Sequence, residues 1–268
     1  MIKIQAQSLK DFQTCALFYN YKYGDDKIVE VLDVRKKRAQ KFDDTIKRVV
    51  AFFFYKKQAY AEPSYQALLN RWQKLWFAEG TTATDIATSK NEILWGSDTS
   101  YTTQAAHALL QFHEEFANKP EQQVVLVDEK FCVPLTKEIA LEGSFDVVLR
   151  TKHKSGGFNY DVYKWTTSSG RRAPSFWSFD IAFLDYAFRY RNMAKPVNTK
   201  YYVWNFSGNT IGSREFTVDR GEHDLIKYWA NQIKQTEVFA PRRGLTSYCQ
   251  GCPFDRPCSN WKPPQDTT

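Results

Sequence analysis

VDEKFCVPLTKEIALEGSFDVVLR, residues 127–150, followed by YDVYKWTTSS, residues 160–169, is the stretch whose reading decides the fold. Residues 123–135, 137–150 and 158–167 are rich in Val, Ile, Phe and Tyr and read as three successive β-strands. KHKSGG (152–157) supplies the turn between the last two. Working outward, the chain before this stretch is helical in pattern. Helices are predicted over 8–23, capped by Ser8, and over 36–57, 64–77 and 101–116. Leu68, Leu69, Trp72, Leu75 and Trp76 form an apolar stripe on the third. After the stretch come a helix over 175–191, strands over 199–206 and 213–218, and a helix over 219–236. Helix, hairpin, third strand, helix and strand in that order predict an α/β fold with a mixed sheet behind a helical N-terminal half.

The chain has 268 residues and 43% hydrophobic content, enough for one substantial core. One domain is expected over 1–262, helical over 36–120 and with its core over 123–236; residues 263–268 read as a disordered tail. The net charge is +7 and the pI about 9.0. That balance favours an acidic partner such as nucleic acid, or marks only a basic surface. No apolar run is long enough to span a membrane, and the N-terminus lacks a signal-peptide core. A cytoplasmic location follows as an expectation, and structural disulfides are rare there. Cys15 and the run SYCQGCPFDRPCSNW, which holds Cys249, Cys252 and Cys258, therefore read as metal ligands drawn from the two ends of the chain. Four thiolates suit an iron–sulfur cluster or zinc equally well on chemistry alone. Cys132, in the apolar run KFCVPL, reads as a core residue.

SLKDFQTCALFYNYKY (8–23) resembles the opening helix of RecB-family nucleases of PD-(D/E)XK fold. FAPRRGLTSYCQGCPFDRPC (239–258) resembles their C-terminal cluster loop, and 127–150 with 160–169 their central hairpin and catalytic strand. Members with an iron–sulfur cluster include AddB-type helicase–nucleases, the CRISPR spacer-acquisition nuclease and many phage exonucleases. The resemblance implies a restriction-endonuclease-like mixed sheet flanked by helices. It also implies a 4Fe–4S cluster on Cys15, Cys249, Cys252 and Cys258, and a bacterial or phage-infected cell. Such enzymes cut phosphodiesters with Mg2+ or Mn2+. Two acids hold the ion, which polarises the phosphate and activates water, while a lysine stabilises developing charge. The family pattern is G-x-x-D on one strand and (D/E)-x-K on the next, with an upstream histidine and a downstream Q-x-x-x-Y.

Gly143 to Asp146 supply G-x-x-D, making Asp146 the candidate metal ligand, and Lys164 matches the family lysine. The other positions depart from the pattern. Val162 stands two before Lys164, where an acid is expected. Asp161 is three before, and a strand puts it on the opposite face unless a bulge intervenes. Lys47 takes the place of the histidine, with His107 as a second candidate. Ala182 or Leu184 breaks Q-x-x-x-Y in FDIAFLDYAF. Glu129 and Glu142 are candidate replacement acids.

Basic runs in VRKKRAQK, KHK, SSGRRAP, FRYRNMAK and FAPRRG flank the expected cleft, with Trp165, Trp177 and Tyr190 among them for base stacking. Arg171 and Arg172 are the candidate contacts to a DNA backbone. The expectation is a DNA-binding iron–sulfur protein, acting on single strands or duplex ends, whose nuclease site has degenerated. Two alternatives stand beside it. One is an active exonuclease using Asp146, Lys164 and a relocated acid, Glu129 or Asp161. The other is a protein-interaction scaffold for a helicase or another replication or recombination protein.

Overall fold

A computed structural model describes residues 1–25, 27–28, 34–77, 99–167, 177–191, 198–207, 211–242, 249 and 252–262. Arg171, Arg172 and the expected tail at 263–268 lie outside the described residues. The strands are β1 (Ile2–Ile4), β2 (Gln123–Pro134), β3 (Ile139–Lys152), β4 (Phe158–Thr166), β5 (Asn198–Asn205) and β6 (Gly212–Phe216). The helices are α1 (Ala6–Thr14), α2 (Ala16–Tyr23), α3 (Val34–Gln58), α4 (Tyr65–Phe77), α5 (Thr99–Phe116), α6 (Ser178–Tyr190), α7 (Arg220–Gln235) and the short α8 (Asp255–Ser259). None is long and apolar enough to cross a membrane among the described residues.

The strands form one mixed six-stranded sheet. β2 lies antiparallel along β3 over nearly its whole length. The other edge of β3 is shared: β1 runs parallel beside Ile139–Leu141, and β4 antiparallel beside Val147–Lys152. β5 then runs parallel to β4, and β6 antiparallel to β5. Gly156 and Gly157 carry the β3–β4 turn at φ 88° and 79°, a region that glycine enters without steric cost.

Helices cover both faces. On one, α1, α2, α6 and α7 bury Leu9, Phe12, Tyr19, Phe183, Phe188 and Ile226 against Leu141, Phe145, Val148, Tyr160 and Val162. On the other, α3, α4 and α5 build an aromatic core from Phe53, Phe54, Trp72, Phe112 and Phe116 against Val147, Leu149, Tyr163, Trp165 and Trp204. Trp165, expected among base-stacking residues, is 3% exposed and stacks on Phe54 at 6.0 Å. The aromatic side chains are shared between the two layers, and the described buried tryptophans all lie in this second one.

β3 changes phase within the sheet. Leu141 and Phe145 lie in the α6 layer, but Val147 and Leu149 lie in the α3–α5 layer. On β2 the same switch falls at Asp128, whose φ of 46° turns the strand over. The outer edge of β2 is not bare: Tyr55 Oη donates to Val127 O (3.0 Å), Arg191 Nη2 to Lys130 O (3.0 Å) and Tyr186 Oη to Pro134 O (3.1 Å).

Several sequence expectations are corrected. The helix over 8–23 is two helices, because Cys15 takes an extended conformation (φ −161°, ψ 118°) between α1 and α2. Ser8 is not the cap but the third residue of a capping box with Gln5: its hydroxyl accepts from Gln5 N at 3.1 Å. Cys132 is exposed, since the two-residue period that buries Phe131 and Val133 turns it outward. His107 is neither packed nor near a cleft; it is exposed on α5, 3.1 Å from Gln111 Nε2.

Candidate functional site

The sheet forks where β1 and β4 part along β3, and Asp146 lies at the fork. Past the Val147–Tyr163 pair the β3–β4 ladder stops. The Trp165 N–H donates instead to Asp146 Oδ2 at 2.7 Å. Lys164 Nζ stands 3.6 Å from the same oxygen. The strand motif therefore brings Asp146 and Lys164 together. Gly143, three residues earlier, has a packing reason of its own: a Cβ there would meet the Phe131 ring at 2.6 Å.

The fork opens on a cleft of about 400 Å³ between β3 and the ends of α1 and α6. Lys164, Glu142, Ser144 and Lys130 line it from the sheet, and Gln5, Gln7 and Asp180 from the helices. Asp180 pairs with Lys10, whose ammonium also sits 5.5 Å from the Trp177 ring. Glu142 is 3.5 Å from Lys3. From the opposite layer α3 brings Asp43, which accepts from Thr167 Oγ1 at 2.8 Å and lies 2.5 Å from Lys47. Asp146 holds the Lys164 ammonium above its ordinary pKa. Burial works against it, and Asp180 and Asp43 add to the rise. Lys164 is a fixed cation at neutral pH, able to balance charge developing on an oxyanion.

Of the replacement acids, Glu142 shares the cleft with Lys164 and lies beside Lys3, whereas Asp161 and Glu129 are held elsewhere. β4 runs without a bulge over 158–163, so Asp161 stays on the face of Tyr163, opposite Lys164. Its carboxyl is pushed up by burial there. Val162 is fully buried in the α6 layer. Glu129 is on the α6 side but is held by Arg191, whose guanidinium lies 5.5 Å from the Phe145 ring. Ala182 and Leu184 are both buried in the α6 core. Asp180, from α6, shares the cleft with Lys164, and Asp43, from α3, lies within its electrostatic reach. No strand motif names them. Among the described residues no three His, Cys, Asp or Glu side chains are gathered as a metal ion requires.

The cysteines converge from both ends. Cys15 sits in the α1–α2 break, its N–H on Asp11 O at 2.9 Å. Phe254 packs on Phe18 and Tyr21, with ring centroids 5.2 and 5.7 Å apart. The Tyr21 hydroxyl reaches Pro257 O at 3.4 Å. Arg242 Nη1 donates to Gln13 O, and Arg242 O accepts from Cys249 Sγ at 3.6 Å. Burial pushes the Cys252 thiol up, and so do the neighbouring thiols of Cys15, Cys258 and Cys249. Cys252 therefore lies within electrostatic reach of the other three, though among the described residues the thiols are not gathered closely enough to hold a metal ion.

Comparisons with known proteins add little. No family model matches the chain, and no curated protein does. Among solved structures it is similar to one described as "Crystal structure of SSO0001", at 11% identity, with a TM-score of 0.33, over 93% of this chain and 90% of that one. A likeness of that size carries no argument.

Proposed function

We propose that this protein binds DNA through a PD-(D/E)XK-type domain whose nuclease site has lost its second strand carboxylate. The observation that carries the reading is the fork: Asp146 and Lys164 meet at its mouth, while Val162 is buried and Asp161 lies on the far face. One acid committed to a lysine and a backbone N–H neutralises a divalent ion poorly. The fork still offers a phosphate a fixed cation beside a cleft. Cys15, Cys249, Cys252 and Cys258 would hold a 4Fe–4S cluster, with zinc as the alternative. The bound group would tie the two ends of the chain together. A helicase or another replication or recombination protein is the partner class such a domain serves, in a bacterial or phage-infected cell.

A second reading is favoured by Asp180, which shares the cleft with Lys164, and by Asp43, which lies within electrostatic reach of it. In it the domain is an active exonuclease with Mg2+ or Mn2+ held by Asp146 and a helix-borne acid. End-labelled single- and double-stranded DNA, incubated with anaerobically purified protein and Mn2+, separates the two. Binding without cleavage supports the first reading. Cleavage abolished by Asp146→Ala and by Asp180→Asn supports the second. Absence of DNA binding at low salt refutes both.

A further inference from the structure

Charge is segregated along this chain. Residues 34–77, which make α3, α4 and their connection, hold eleven Lys and Arg against three Asp and Glu. That surplus of eight exceeds the surplus of seven in the whole protein, so the remaining residues are close to neutral. The three acids are engaged locally. Asp43 takes Lys47, Glu62 takes Lys57 at 3.2 Å, and Asp44 sits one turn from Arg48 in the field of Lys47 and Arg48. Arg48, Lys56, Arg71 and Lys74 form no ion pair with a carboxylate among the described residues.

These four share the outer face of the α3–α4 pair. Arg48, Phe52 and Lys56 follow at i, i+4 and i+8 on α3 and make one straight stripe. Arg71 reaches across from α4, its guanidinium 5.4 Å from the Phe52 ring, with the Lys56 ammonium 5.9 Å from the same ring. Arg48, Lys56 and Lys74 are exposed. Phe52 thus orders two cations before any partner arrives, which lowers the entropic cost of binding. α3 has 25 residues and is about 37 Å long. Its Asp43 turn borders the end of β4, and the stripe begins about one turn further along.

We propose that the outer face of α3 and α4 is a nucleic-acid backbone track, separate from the cleft. The proposal rests on the DNA-binding reading and adds a surface to it. A line of cations repeated each helical turn suits a polymer with regularly repeated negative charge. An anionic bilayer fits less well, because membrane-surface helices need apolar anchors. Here the Phe52 ring is flanked by Arg71 and Lys56, and the Tyr55 hydroxyl is bound to Val127 O.

The test uses the full chain and fluorescein-labelled single-stranded oligonucleotides of two unrelated sequences, with anisotropy read over a NaCl series. The triple variant Arg48→Glu/Lys56→Glu/Lys74→Glu is compared with wild type after circular dichroism shows that both are folded. The expected result is at least a tenfold loss of affinity for both sequences. The slope of log K against log salt should fall by about 2, as three lost phosphate contacts require. Equal affinity and slope in wild type and variant would overturn the track and leave the DNA-binding reading standing. Loss of binding to anionic vesicles with DNA binding intact would also overturn it, in favour of a membrane surface. A wild type that binds no DNA at low salt refutes the underlying reading itself. A Lys164→Met variant that keeps the wild-type slope, where the triple variant does not, would place the track outside the cleft.

Discussion

Around Asp185, on α6, three other side chains close in. Tyr201 Oη donates at 2.6 Å, while Arg189 Nε stands 2.7 Å and His223 Nε2 2.9 Å from the other oxygen. Around Asp146, on β3, there is one backbone N–H and one lysine at ion-pair distance, and the lysine lines a cleft. Both aspartates are sunk in the sheet and helix layers, at 2% and 9% exposure. The first joins a helix, a strand and a second helix into a neutralised knot. The second leaves Lys164, 23% exposed, on the wall of a cleft. A buried charge surrounded on all sides holds structure; one satisfied from a single side keeps its partner available for a ligand.

The contrast can be broken most easily at Asp185. Asp185→Ala leaves the buried Tyr201 hydroxyl without its acceptor and Arg189 and His223 without their counter-charge, and should cost about 3–5 kcal/mol, read as a large fall in Tm. Asp146→Ala should cost less, about 1–3 kcal/mol, since it strands one backbone N–H and releases one lysine. A larger loss at Asp146 than at Asp185 would invert the comparison. Gly143→Ala drives a methyl into Phe131, a ring only 4% exposed, and should cost about 1–3 kcal/mol by denaturant midpoint without a change in charge.

The pH limits sharpen the contrast further. Burial pushes the Asp185 carboxyl up, but the contacts with His223, Tyr201 and Arg189 outweigh it and hold it below its ordinary 3.8. Its contribution is complete above that value and is lost as pH falls through the lowered one. Lys164 behaves oppositely. Its pKa lies above the ordinary 10.5, so its contribution is complete below that value and lost as pH rises through the raised one. Asp185→Asn should therefore flatten the acid limb of a Tm–pH profile and Lys164→Met the alkaline limb, neither affecting the other's. The smallest effect belongs to Glu129→Gln. It loosens the half-exposed pair with Arg191 and should cost under about 1 kcal/mol, with no change in DNA binding.

Much of this arrangement was legible in the sequence, and particular residues show where legibility ended. The two-residue period of β4 told Asp161 from Lys164, because face alternation is a local property of a strand. The same period could not announce the phase change at Asp146, which depends on β1 and β4 competing for one edge of β3. β1 itself is three residues long and has no periodicity to read. The α1–α2 break at Cys15 was hidden because apolar spacing continues across it. Asp180 and Asp43 went unread as site residues because their nearness to Lys164 is created by packing between layers, not by spacing along a strand.

The hydroxyls of Tyr55 and Tyr186 and the guanidinium of Arg191 sit where a seventh strand would otherwise pair with β2. A 12-residue border strand with its carbonyls open is a template for a second chain. Here the vacancy is filled from above and below by the protein's own helices. The same three contacts that fasten those helices to the sheet act as a guard against self-association, and a variant losing all three would be prone to aggregate before it unfolds.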